Sequence, residues 1–133
     1  MKLSDSDFRV WDGEKYINNI KGGVYIHKIN DHIKCLNRNQ DCYDYEFELD
    51  DLDNSNLEIE LFTGLYDKNG VRIYEGDILE LFATGEIITG RVVYDKEKAR
   101  FELVTSDEDI VDFTFYIDIE IIGNIHENAE LLK

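Results

Sequence analysis

The 133-residue chain has no proline, a single methionine, a single tryptophan and two cysteines. This composition excludes collagen-like, low-complexity and disulfide-scaffold sequences. The cysteines, Cys35 and Cys42, form no C-x-x-C pair. No apolar run approaches the roughly 18 residues that a membrane span needs, so no membrane association is expected. The opening Met1-Lys2-Leu3-Ser4-Asp5-Ser6-Asp7 has neither an apolar stretch nor a small-residue cleavage site, unlike a signal peptide. A cytoplasmic protein with reduced thiols is therefore expected. Basic residues are scarce too: 14 Lys+Arg face 30 Asp+Glu, a net charge of −16 with histidine neutral. Such a field opposes non-specific binding to nucleic acid or to an anionic membrane.

What is present is strand chemistry. Hydrophobic residues make up 43 % and aromatics 12 %, too many for a disordered acidic tail. Phe8–Trp11 and Glu14–Ile17 flank Asp12-Gly13, a two-residue hairpin signal. Gly22-Gly23 opens a strand over Val24–Ile29. Residues 30–56 read as irregular, although Tyr43, Tyr45, Phe47 and Leu49 alternate with acids as in a half-buried strand. Leu57–Phe62 alternates until Thr63-Gly64-Leu65 breaks it, and an Asn69-Gly70 turn leads into Val71–Tyr74. Ile78–Phe82, Glu86–Tyr94 and Ala99–Val104 are strand candidates, the last two forming a hairpin, with Gly90 suggesting a bulge or bend. Val111, Phe113 and Phe115 share a parity, Glu120–Ile125 is the last strand candidate, and a short helical turn capped by Asn128 closes the chain.

Short strands punctuated by Gly, Asn and Asp, with almost no helical period, predict a mainly β, antiparallel fold. We expect an N-terminal β unit with an irregular acidic segment over 1–56 and a small barrel-like unit over 57–133, the two forming separate halves or one integrated domain.

Three blocks resemble the YopX family of small proteins encoded by bacteriophages and prophages. Phe8-Arg9-Val10-Trp11-Asp12 is similar to the family's F-R-x-W-D opening. The block from Thr63 to Ile78 is similar to T-G-L-x-D-x-x-G-x-x-I-x-E-G-D-I. Residues 120–132 resemble E-V-I-G-N-I-x-E-N-P-E-L-L, with Ala129 at the proline position. Gly90–Asp95 adds a weaker match, and residues 18–56 match nothing. The resemblance implies a β-rich phage protein acting in the host bacterial cytoplasm, and it carries over no catalytic residue. Its signature residues are Trp11, Thr63, Gly64, Leu65, Asp67, Gly70, Ile73, Glu75, Gly76, Asp77, Gly123 and Asn124. These suit turns and strand starts, with Asp67 capping the Asp-Lys-Asn-Gly turn and Asp77 binding amides after Gly76.

Catalytic signatures are missing. Cys35, Cys42, His27, His32 and His126 form no nucleophile-and-base pattern. His32, Cys35 and Cys42 have the wrong spacing for a closed zinc site. Asp51, Asp53 and Ser55 begin like an EF-hand, but Asn56 replaces its glycine and Phe62 its bidentate glutamate. An acidic cation site of another kind at Asp50, Asp51 and Asp53 competes with a solvated acidic loop. No phosphate-cradling loop is present. We therefore expect no enzyme, cofactor or metal.

The charge, however, is patterned. Residues 41–60 and 102–132 each hold nine carboxylates and no Lys or Arg, whereas Arg91, Lys96, Lys98 and Arg100 gather on one hairpin. Asp50, Asp51, Asp53, Asp107, Glu108 and Asp109 form the expected interaction surface, with a basic protein as partner. Two alternatives stand beside that reading. One is a nucleic-acid-binding barrel using the basic hairpin with Tyr94 and Phe101, which the net charge disfavours. The other is an acidic DNA mimic that inhibits a host protein. Exposed strand edges would also permit a homo-oligomer.

Overall fold

The computed structural model describes residues 2, 5–17, 24–30, 32–38, 49–51 and 57–133. Eleven strands are seen among them: β1 Phe8–Trp11, β2 Val24–Ile29, β3 His32–Arg38, β4 Leu49–Asp51, β5 Glu58–Tyr66, β6 Arg72–Tyr74, β7 Asp77–Ala83, β8 Glu86–Asp95, β9 Arg100–Thr105, β10 Ile110–Val111 and β11 Asp118–Asn124. Every strand pairing resolved between them is antiparallel. Short 3-10 turns cover Phe113–Phe115 and Ala129–Leu132. No helix among the described residues is long and apolar enough to cross a membrane. The chain divides into two compact units, Met1–Phe8 with Glu60–Lys133, and Arg9–Ile59.

In the unit Arg9–Ile59, β2, β3 and β4 form a sheet in that order. Strand β3 lies in a stretch read from sequence as irregular. Its His-Ile-Lys-Cys-Leu-Asn-Arg sequence lacks a clean apolar parity, and Ile33 is indeed exposed. The turn at Asp12-Gly13 also differs from the two-residue form. Trp11 bridges Tyr16, and the Asp12 carboxylate accepts the Glu14 and Lys15 amides at 2.8 Å each. Only Gly13 has positive φ, so the side-chain acceptor at Asp12 sustains a four-residue loop instead. The alternating stretch Tyr43–Phe47 lies outside the described residues.

In the other unit, five strands run in the order β10-β9-β8-β7-β11. No pairing joins β10 to β11 among the described residues, so the sheet ends at those two strands. Alternation places Leu79 and Leu81, Val92, Leu103 and Ile119 on one face. Ile73 from β6 and Phe113 pack with them, both fully buried, to complete the core. Phe113 arrives from a 3-10 turn and not from a strand. Asp112 accepts the Thr114 amide and hydroxyl, ending β10 after two residues, so the shared parity of 111, 113 and 115 is no strand. Phe115 is left 82 % exposed.

Glycine roles are specific. Gly64 does not end its strand; β5 runs through it with an irregular pairing to β6 between Phe62 and Tyr66. Gly90 is no bulge, because the β7 ladder runs through it in register and the β9 ladder ends on it in register, opposite Thr105. A Cβ there would lie 2.6 Å from the Val104 carbonyl oxygen, so the constraint is close approach of β9. At Gly76 two constraints coincide: φ is +86°, and a Cβ would stand 2.2 Å from Glu60 Oε2. Gly70 has φ +79° but open space around it.

Gly76→Ala is therefore expected to cost about 2–4 kcal/mol, against about 1 kcal/mol for Gly70→Ala, where only backbone conformation is strained. Urea unfolding of the two variants measures the difference, and equal losses would contradict the steric role of Glu60.

Candidate functional site

The block from Thr63 to Ile78 is organised by its own polar side chains. The Thr63 hydroxyl donates to the Ile73 carbonyl at 2.8 Å and accepts from the Leu65 amide at 3.2 Å, tying β5 to β6 around Gly64. Asp67 is buried at the next turn. Its Oδ1 accepts the Asn69 and Val71 amides at 2.9 Å each, and its Oδ2 accepts the Ile121 amide of β11 at 3.3 Å. The Lys68 amide donates to the Ile119 carbonyl at 2.8 Å, so turn and strand are joined twice. Burial alone would raise the Asp67 pKa. The amides of Val71, Ile121 and Asn69 outweigh it and hold the carboxyl below its ordinary value.

Asp77, also buried, accepts the Tyr74 amide at 2.8 Å, on the near side of Gly76. The Gly76 amide donates to the Val92 carbonyl and its carbonyl accepts from Ile125, both at 2.9 Å, while the Glu75 amide donates to Leu61. Around this crossing stands a pair that sequence reasoning missed. Glu60 Oε2 lies 3.1 Å from His126 Nε2, with the Glu60 side chain buried and that of His126 mostly so. Their separation of 66 residues gave no local signal.

A second missed group lies at the start of the unit. Asp7 Oδ2 accepts the Arg72 guanidinium at 2.7 Å and also the Tyr74 hydroxyl. Burial would raise the Asp7 pKa, but the bonds from Tyr74, the Phe8 amide and Arg72 together lower it. Burial first, and then the Asp7 bond, raise the Tyr74 phenol. Tyr74 thus stays protonated as a donor, and Arg72 packs its guanidinium over the Phe62 ring at 5.1 Å.

The closing block forms a third knot. The Asn124 side chain accepts the His126 and Glu127 amides at 3.1 and 2.9 Å. Asn128 stands ahead of the 3-10 turn but does not cap it; its Oδ1 accepts the Asn124 amide at 3.2 Å. A Cβ on Gly123 would lie 2.7 Å from Asn128 Oδ1, which explains the glycine. Trp11, in the other unit, stacks edge-on against Tyr16 at 5.0 Å.

With these three knots described, comparison with known proteins becomes decisive. Residues 7–133 match the family profile described as YopX protein. The chain belongs to the YopX family. No curated protein matches it. It is similar in structure to protein EF1440 from Enterococcus faecalis, with 26 % identity, a TM-score of 0.61, and 96 % of this chain and 98 % of that one covered. It is also similar to YopX from Bacillus subtilis, with 22 % identity, a TM-score of 0.66, and coverage of 95 % and 97 %. The second likeness speaks for fold alone: mainly β, antiparallel and almost without helix.

The acidic surface is described only in part. Asp50 and Asp51 fall on β4, but their side chains, and all of Asp53, lie outside the described residues. Asp107, Glu108 and Asp109 sit exposed on the β9–β10 turn, where Glu108 Oε2 reaches Arg91 at 3.5 Å. Three of the four cations of the β8–β9 hairpin, Arg91, Lys98 and Arg100, face carboxylates. Glu102, buried on the face away from the core, takes Arg100 at 2.8 Å and Lys98 at 3.3 Å. His32 and Cys35 fall on β3, and Cys42 lies outside the described residues. No cluster of three or more His, Cys, Asp or Glu suited to a metal is found among the described residues.

Asn at position 67 keeps one acceptor but turns an N–H donor toward another donor. Asp67→Asn should therefore cost about 1–3 kcal/mol. Because the folded pKa is depressed, Asp67 stabilises the fold at pH above about 3.9, and this contribution fades as pH falls further. Urea midpoints between pH 7 and pH 3 should fall less steeply in the variant; parallel curves would refute that role.

Proposed function

We propose that this YopX-family protein is a phage or prophage accessory protein of the host bacterial cytoplasm that acts without catalysis, through contacts with a basic protein partner. The observation that carries this reading is the use of its cations. Arg91, Lys98 and Arg100 each face a carboxylate of the same chain, so the basic hairpin offers little to a phosphate backbone. Asp107 and Asp109, by contrast, project from the β9–β10 turn. A surface of that sign steers a basic partner toward it and repels acidic ones. Where the partner is itself a DNA-binding host protein, ordered carboxylates supply the charge of a phosphate backbone, and the protein would inhibit it as a mimic. The signature block supports the non-enzymatic part, because Asp67 and Asp77 are spent on backbone amides.

Affinity capture with the full chain, at low and then moderate ionic strength, should recover a basic protein that salt releases. Replacing Asp107, Glu108 and Asp109 together by Asn, Gln and Asn should weaken capture several-fold without altering thermal unfolding. Failure to recover any salt-sensitive partner would overturn the reading. Fluorescence anisotropy with single- and double-stranded DNA at low salt tests the competing nucleic-acid reading, and binding at micromolar protein would favour it instead.

A further inference from the structure

The end of the five-stranded sheet at the β7–β8 turn carries an exposed apolar patch set among carboxylates. Register places Ile87, Phe82 and Asp118 side by side across β8, β7 and β11. Directly opposed residues in antiparallel strands share a face, so the three form one row. Ile87 is 62 % exposed, and Ile117, next to Asp118, is 97 % exposed. A shallow open cleft of about 480 Å³ lies here, lined by residues 82–87 and Asp118. Nothing in the core requires either isoleucine to face solvent, and Asp118 pairs with Phe82 at the sheet's edge.

The chain itself shows which charge this place accommodates. Lys68 Nζ stands 5.0 Å from the centroid of the Phe82 ring, 3.4 Å from Glu120 and 3.8 Å from Asp118. An ammonium group over an aromatic face and between two carboxylates is a favourable arrangement. All three groups around it remain partly open to solvent, so the site has room to share that charge with a second cation.

We infer that this cleft docks a segment of the basic partner in which a bulky apolar side chain is flanked by lysine or arginine. The inference rests on the basic-partner reading and adds the place and the sequence character. The apolar side chain covers Ile87 and Phe82, and the flanking cation joins Lys68 at Asp118 and Glu120. Charge complementarity selects this occupant. A second copy would bring the same carboxylates against themselves in a chain of net charge −16, and a phosphate backbone would meet them with like sign.

The test uses the full chain, ¹⁵N-labelled, and two synthetic peptides of equal charge and length. One alternates lysine with phenylalanine; the other alternates lysine with glycine. The first should bind about five-fold more tightly or better, the effect of burying one apolar side chain. Its amide shifts should centre on residues 68, 82–87 and 117–120. Ile87→Ser should erase most of that preference; the site is exposed, and thermal unfolding verifies that the fold persists. Equal affinity for both peptides, or shifts centred on 107–109, would overturn the cleft while leaving the basic-partner reading standing. No salt-sensitive binding of either peptide would overturn both. A dimer in sedimentation that Ile87→Ser abolishes would give the cleft to a second copy and overturn the peptide assignment.

Discussion

A buried carboxylate has to find donors, and in this protein Asp67 finds three amides from two distant parts of the chain. Asn69 and Val71 close the turn between β5 and β6, and Ile121 belongs to the last strand. The same bonds that fold the turn therefore position β11 beside β7, and β11 carries Ile119 into the core. Gly70 permits the turn, Thr63 aligns the strand before it, and Asp77 secures the strand start after it. Signature residues that look like independent turn markers act as one hydrogen-bonded assembly.

Charge is handled in two ways. Some carboxylates are matched within the chain: Glu60 with His126, Asp7 with Arg72 and Tyr74, Glu102 with Arg100 and Lys98. These groups take three of the chain's 14 Lys and Arg residues. Outside, the remaining acids are left to water or to a partner, which is how a chain with 30 acidic residues can fold compactly and still present a strongly negative surface. The net charge is thus the residue of an internal matching and not a uniform coat.

Sequence reading captured what local periodicity encodes. The strands of the five-stranded sheet follow the alternation of Ile78–Phe82, Glu86–Tyr94 and Ala99–Val104 to within a residue or two. It lost β3, where no apolar face exists to be counted, and the shared parity of Val111, Phe113 and Phe115 marked no strand, because a 3-10 turn delivers Phe113 to the core with strand-like spacing. Gly90 was legible as special but not as to why, since close approach of a neighbouring strand leaves no trace in its own segment. Of the polar groups, Asp67 was readable because its first two donors lie within four residues. Glu60–His126 and Asp7–Arg72 were not, because their partners lie 66 and 65 residues away.

Asp7 and Phe62 share a backbone hydrogen bond of 3.0 Å, so the chain leaves one compact unit and re-enters it at neighbouring points. Everything between them behaves thermodynamically as a closed loop. Closing such a loop costs an entropy that grows only logarithmically, about 0.6 kcal/mol for each doubling of its length. By that term alone, a change in the length of the unit Arg9–Ile59 costs the unit that holds its ends little.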